Sequence, residues 1–319
     1  MSKVQRLNKI QQVSMYVVYL ILASVVLLVA LEYVIRIMYP QINYQGNQRS
    51  MFVENRFDQT MGLKPNSSGE FFGKEVSIDE YGFREMNSPS EYDKSWLFLG
   101  DSVTFGVGIE KDEIFPQLIQ DEFPSIKIWN TAVVGYSALD YINVVRNFVP
   151  EHIDVEEIVL FFCLNDVYGN LFLNTDVSAG EKATAFLKSN SKLYMLLKNV
   201  FFDRSRVYAL HDVGFYEKQE AGIGKHLDAI ANIKQIADQL NIRFLVVVLP
   251  YEYQLRVKGL RSPQLLLAKY FKDNNIESLD LYDDFSVRDS KVYYLYGDAM
   301  HLSSYGHKVV ASRVLQELK

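Results

Sequence analysis

Trp96-Leu97-Phe98-Leu99-Gly100-Asp101-Ser102-Val103-Thr104-Phe105-Gly106 is the stretch on which the reading of this 319-residue chain turns. A short continuous apolar run predicts a strand buried on both faces, and the Gly-Asp-Ser after it predicts a tight turn. Such a junction presents a serine hydroxyl at the carboxyl edge of a parallel sheet, where open α/β folds hold their ligands. Ser102 is therefore a candidate nucleophile. A serine hydroxyl is weak until a base takes its proton, and the base must itself be held in one tautomer by an acid. Asp298-Ala299-Met300-His301, near the other end of the chain, supplies both, three residues apart.

Outward from that stretch, strand and helix patterns alternate. Strands are predicted at 96–99, 126–129, 158–164, 244–249 and 279–282, with helices at 114–123, 139–149, about 224–240 and 264–271. Short apolar strands separated by helices imply a sheet covered on both faces. The expected fold class is α/β: a three-layer α/β/α domain with a mostly parallel, flavodoxin-like sheet, preceded by one transmembrane helix. Leu227, Ile230, Ile233, Ile236, Ala237 and Leu240 recur at helical spacing and read as core packing. An insertion at 168–219 interrupts the alternation and is rich in Phe and Leu. It reads as a helix pair covering the core, a lid, or a stripe that meets the membrane surface or a membrane partner.

The chain is 49% hydrophobic and 23% charged, enough for one large core with appendages. Its net charge of -6 and lack of a concentrated basic face exclude nucleic acid as the expected partner. Cys163 is the single cysteine, so no intramolecular disulfide forms. Residues 13–31 carry no charge and have the length of a bilayer-spanning helix. A secretory signal peptide is the rival, but its apolar region is shorter and ends at a small-residue cleavage site, which does not follow Leu31. Lys3, Arg6 and Lys9 precede the span, which by the positive-inside rule keeps residues 1–12 in the cytoplasm and sends the chain after the 13–38 anchor outside. Residues 39–95 read as a polar, turn-rich linker and β-rich lead-in to the domain at 96–319. Tyr81-Gly82-Phe83-Arg84 within it reads as a turn flanked by aromatic packing.

Acyl chemistry at a serine also needs fixed donors for the charge that develops on the carbonyl oxygen. Gly135, after the second strand, lets a backbone N–H approach a ligand closely, and Asn165, at the end of the third, can aim a side-chain amide at the same point. With these four blocks in place the chain resembles the SGNH, or GDSL-type, hydrolase family, in its membrane-anchored bacterial form. Gly100-Asp101-Ser102 is similar to the family's first block, Gly135 to its second, Asn165-Asp166 to its third, and Asp298 with His301 to its last. The resemblance implies that Ser102 is nucleophile and, through its N–H, an oxyanion donor. It further implies that Gly135 and Asn165 complete the oxyanion hole, that His301 is the general base, and that Asp298 orients it. One position departs: Cys163 stands where the family usually has Gly two residues before the Asn, which bears on the local loop shape.

His152, His211, His226 and His307 lack a paired acid at similar spacing and read as ordinary surface or core residues. Gly135-Tyr136-Ser137-Ala138-Leu139 looks like a nucleophile elbow without its closing Gly, so Ser137 reads as a decoy. Asp166 has no ligand cluster of metal spacing around it, and neither metal nor other cofactor is expected. The expected activity is that of a serine ester hydrolase on O-acyl (acetyl) esters of envelope glycans or lipids, at the cytoplasmic membrane of a bacterium with its catalytic domain facing the periplasm or exterior. The alternatives are O-acetyl transfer in partnership with a multispanning O-acyltransferase, as in membrane-anchored SGNH proteins that the chain resembles, and an inactive SGNH-fold binding scaffold.

Overall fold

A computed structural model describes residues 3–46, 49–54, 56–58, 60–152, 154–168, 179–218 and 222–319. Parts of the predicted N-terminal tail (1–2), lead-in (47–48, 55 and 59) and insertion (169–178 and 219) lie outside the described residues. Helix α1 (Lys3–Met38) comes first, and its Gln11–Met38 stretch is long and apolar enough to cross a bilayer. The apolar side chains from Val13 to Val34 are exposed, and Ile35 beyond them is buried.

The lead-in carries two antiparallel hairpins, β1 (Phe52–Val53) with β2 (Gly62–Leu63), and β3 (Ser67–Phe71) with β4 (Lys74–Ile78). Phe57, Leu63, Phe71, Val76, Ile78 and Phe83 from this segment pack into the main hydrophobic core. Thus 39–95 does more than space the domain from α1. Gly82, at φ +81, makes the turn expected of Tyr81-Gly82-Phe83-Arg84, and Phe83 beside it is buried.

The central domain then follows: β5 (Lys94–Gly100), α2 (Ser102–Phe105), α3 (Phe115–Glu122), β6 (Ile126–Asn130), α4 (Ala138–Phe148) and β7 (Val155–Phe162). After the insertion come α8 (Gly222–Leu240), β8 (Arg243–Val248), α9 (Glu252–Val257), α10 (Ser262–Asp273), β9 (Glu277–Asp280) and α11 (Ser304–Leu318), the insertion itself being α5 (Ala179–Asn190), α6 (Lys192–Phe201) and α7 (Arg204–Glu217). Five strands form one wholly parallel sheet in the order β6-β5-β7-β8-β9. This is the flavodoxin-like order expected. Apart from their first residues the inner strands are almost continuously buried, because helices cover both faces. Phe98, Phe115 and Phe161 meet inside at ring separations of 4.4–5.1 Å, each burial contributing roughly 1.5–3 kcal/mol.

Register decides where the strands deliver their loops. Gly100 on β5 pairs with Phe161 on β7, and Phe162 pairs with Val248 on β8. The chain therefore leaves β5, β7 and β8 at one level, with Ser102, Asn165 and Tyr251 on the same carboxyl edge.

The insertion is joined to the end of α1. The Glu32 carboxylate accepts hydrogen bonds from Ser191 Oγ (2.8 Å) and from the first amides of α6, Lys192 N (3.0 Å) and Leu193 N (2.9 Å). Arg36 pairs with Glu32 (2.7 Å) and donates to the carbonyl of Asn190, the last residue of α5 (2.8 Å). Ile35, Ile42, Leu193 and Met195 close a small core of their own beneath this collar.

Candidate active site

The turn after β5 is shaped by what it leaves no room for. A Cβ on Gly100 would stand 2.1 Å from Thr104 Oγ1, so a side chain there would push α2 off the strand. Asp101, fully buried, caps α2 by accepting from Val103 N at 2.9 Å, and Ser102 opens the helix with only 7% of its surface exposed. Beneath it the buried Arg84 guanidinium donates to the carbonyls of Phe105 (2.6 Å), Gly106 (2.7 Å) and Ile109 (2.7 Å), satisfying the end of this short helix. Burial lowers the Arg84 pKa to about 10, with Glu110 opposing, so it is still a cation at neutral pH.

His301 and Asp298 come from the loop between β9 and α11, closed by the antiparallel bridge of Tyr294 with Leu302 and by Leu295 N donating to His301 O at 2.9 Å. Ser102 Oγ lies 2.9 Å from His301 Nε2, although 199 residues separate the two. On the other side of the ring, His301 Nδ1 lies 2.9 Å from Asp298 Oδ1, which also accepts from the backbone amides of Met300 and His301 at 3.1 Å each. The second carboxylate oxygen is within 3.3 Å of Gln45 Nε2 and 3.6 Å of Arg204 Nη1. Burial by itself would raise the Asp298 pKa, but the His301 and Arg204 charges and the bonds from His301 outweigh it and hold the carboxyl well below the usual carboxylate range. The group is ionised wherever the protein is folded at ordinary pH.

Asn165 stands on the turn after β7, half-buried. Its Oδ1 accepts from the hydroxyl of Tyr251 (3.0 Å), which turns the Nδ2 end towards Asp101 Oδ2 (3.3 Å) beside Ser102. Gly135 occupies the turn after β6 at φ +87, a conformation an L side chain rarely adopts, and Val133 N of that loop donates to Gly100 O at 3.4 Å. The structure thus brings Ser102, His301 and Asp298 into one hydrogen-bonded chain, with Asn165 beside them and the Gly135 loop tied to the strand end before the serine. Tyr251 also reaches Asp212 (2.8 Å), whose other oxygen meets Tyr168 and His211 at 2.8 Å each. His211 pairs with the next residue on α7, Asp212, and not with an acid three residues away in a loop as His301 does. The His211 ring is 67% exposed.

A family model described as GDSL-like Lipase/Acylhydrolase matches residues 97–314, more than half of the chain. The chain belongs to that family. Solved structures similar to it include a lipolytic protein of the G-D-S-L family from Veillonella parvula DSM 2008, 13% identical, covering 70% of this chain and 97% of that one, with a TM-score of 0.44. A lipase/acylhydrolase from Enterococcus faecalis is 12% identical, with 70% and 95% covered and a TM-score of 0.44. A catalytic mutant of an acetylxylan esterase from Geobacillus stearothermophilus is 13% identical, with 71% and 94% covered and a TM-score of 0.45. No curated protein matches the chain.

For this GDSL-like acylhydrolase, the departure at Cys163 has a local explanation. The residue sits at φ -102 and ψ 155, extended backbone that needs no glycine, and its amide donates to Asp166 Oδ2 at 2.9 Å. Asp166 is fully buried, and desolvation together with the Asp101 carboxylate pushes its pKa well up. Ser137 begins α4, its amide and hydroxyl both within 2.9 Å of Asp140 Oδ2, a helix-start role that fits its reading as a decoy. Among the described residues no three His, Cys, Asp or Glu side chains cluster as metal ligands would.

Tyr251, which turns Asn165, and three further residues of the site's surroundings escaped the sequence reading. Phe72, at the tip of the β3–β4 hairpin, lies edge-on to His301 at 5.0 Å, and the two-residue tip Phe72-Gly73 (φ +52 and +79) carried a hairpin signal. Gln45 and Arg204 carried none, since their partner is 253 and 94 residues away in sequence. Arg204 also lines a cavity of about 430 Å³, walled by Phe201 and Phe202 on one side and by Tyr294, Tyr296 and Asp298 on the other.

Proposed function

We propose that this chain is a membrane-anchored serine esterase. Ser102 Oγ attacks the carbonyl carbon of an ester while His301 Nε2 takes the hydroxyl proton, and Asp298 holds the ring with Nδ1–H towards it. The oxyanion is met by the backbone N–H groups of Ser102 and Gly135 and by Asn165 Nδ2. Collapse returns the proton from His301 to the departing alcohol and leaves an acyl group on Ser102, and water, giving its proton to His301, releases the acid. The observation that carries this reading is the continuous chain from Asp298 through His301 to Ser102, 2.9 Å at each link.

The apolar Gln11–Met38 stretch of α1 supports anchoring, and Lys3, Arg6 and Lys9 ahead of that stretch support a catalytic domain outside the cytoplasm. Acetyl or other acyl esters on envelope glycans or lipids are the substrates such a placement offers. A fluorophosphonate probe tests the chemistry: the wild type becomes labelled and Ser102→Ala does not. A wild-type chain that resists labelling and turns over neither acetyl nor longer-chain esters overturns the reading in favour of a binding scaffold. If an added glycan diverts the acyl group from water and acylated glycan accumulates, the same serine is a transferase, the activity that a multispanning O-acyltransferase partner would feed.

A further inference from the structure

The helices that clasp the end of α1 also carry large exposed apolar side chains. Phe186 and Leu187, in the last turn of α5, are 66% and 39% exposed. On α6 Leu197, Val200 and Phe201 are 46%, 64% and 79% exposed, and Phe202 just beyond it 64%. Large apolar side chains gathered on one hairpin mark a contact surface. The same hairpin is basic: Lys182, Lys188, Lys192 and Lys198 stand on α5 and α6 against Glu181, in a chain whose net charge is -6.

Position says what this surface meets. The end of α5 and the start of α6 are bonded to Arg36 and Glu32, in the final turns of a helix long and apolar enough to cross a bilayer. Ten residues of α6 extend about 15 Å, so even Phe201 lies within roughly that distance of the collar. A basic hairpin with exposed aromatic residues, held at the mouth of a spanning helix, has the composition of a segment that rests in the boundary between headgroups and acyl chains.

Taking α1 as the anchor proposed above, we infer that the α5–α6 hairpin lies on the surface of the membrane that α1 spans. Phe186, Leu187, Leu197, Val200, Phe201 and Phe202 enter the headgroup boundary, and the exposed Lys182 faces anionic lipid phosphates, while Lys192 and Lys198 are turned inward onto Pro40 O and Gln45 Oε1. Phe201 and Phe202 also wall the cavity beside Asp298, so this contact brings the cavity to the lipid surface.

The test uses the full chain in vesicles of phosphatidylcholine and phosphatidylglycerol, with single environment-sensitive labels quenched by nitroxide lipids. The native Cys163 is buried and does not compete for the label. Leu22→Cys reports on α1, Phe186→Cys and Phe201→Cys on the hairpin, and Leu240→Cys on the end of α8, just before the amino edge of the sheet. Labels at 186 and 201 are expected to be quenched several-fold more than the one at 240 by nitroxides near the headgroup, and the one at 22 by nitroxides deep in the acyl region. Quenching at 22 with none at 186 and 201 beyond that at 240 overturns the surface contact and leaves the anchor standing. No quenching at 22 overturns the anchor and the inference with it.

Discussion

Asp298 is gripped through both of its oxygens, and the two grips do different things. Oδ1 fixes the imidazole, while Oδ2 faces Gln45 and the Arg204 guanidinium, groups that neither touch Ser102 nor belong to the loop. Removing the guanidinium takes away a positive charge that opposes protonation of the coupled Asp298–His301 pair, so the acid limb of the pH profile of kcat should move to higher pH in Arg204→Gln. A profile that superimposes on the wild type would mean the ion pair leaves the pair untouched. In the proposed mechanism Asn165 acts on the substrate side, so Asn165→Ala should lower kcat on the order of a hundredfold or more with little change in KM. Turnover kinetics on a small ester check this, and a loss confined to KM would assign Asn165 to ground-state binding instead.

At the scale of elements, α11 is locked onto the first turn of α3 by a histidine kept neutral. His307 Nδ1 accepts from Phe115 N at 3.1 Å, and burial, with the Arg84 and His301 charges adding to it, pushes its pKa down to about 3. An unfolded histidine titrates near 6.5, so as pH falls below that value the unfolded chain takes a proton the folded one refuses, and stability drops until about pH 3. Between pH 7 and pH 5 this one group should remove about 2 kcal/mol. Urea titrations at both pH values should show a smaller loss for His307→Gln than for the wild type, and equal losses would place the acid sensitivity elsewhere. The same contact shows what a sequence hides. Strands β5, β7 and β8 were legible because parallel pairing under two layers of helices demands unbroken apolar runs. Helix α11 was not, because its buried face includes Gly306 and His307, which blur the apolar period, and α9, six residues long, is too short to show a period at all. The grouping of Ser102, His301 and Asp298 was legible because the proposed chemistry restricts which residue types can stand there. Phe72 and Arg204 stand around that group, where many residue types could, and long-range contacts bring them to it.

Over the whole molecule, a continuous set of contacts runs from the apolar helix to Asp298. Glu32 and Arg36 hold the α5–α6 junction, Lys198 of α6 reaches Gln45 Oε1 at 3.5 Å, and Gln45 and Arg204 both meet Asp298. The insertion, which the sequence left open between packing, lid and membrane contact, is therefore fastened at its middle to α1. No local pattern announced this, because the fastening joins Glu32 to residues 159–161 positions later. Glu32→Ala strips the acceptors from the first amides of α6, a loss comparable to removing a helix cap, about 0.5–2 kcal/mol. That energy belongs to a local unit and not to the sheet, so hydrogen exchange on the full chain should quicken in α6 while the amides of β5, β7 and β8 keep their protection. Because α6 carries Lys198 to Gln45, and Arg204 opens α7 just beyond it, kcat should fall in the same variant although no group that touches substrate has changed. Faster exchange in α6 with kcat intact would show that the collar fixes the insertion without tightening the acid, and uniform loss of protection across the sheet would show that Glu32 supports the fold as a whole.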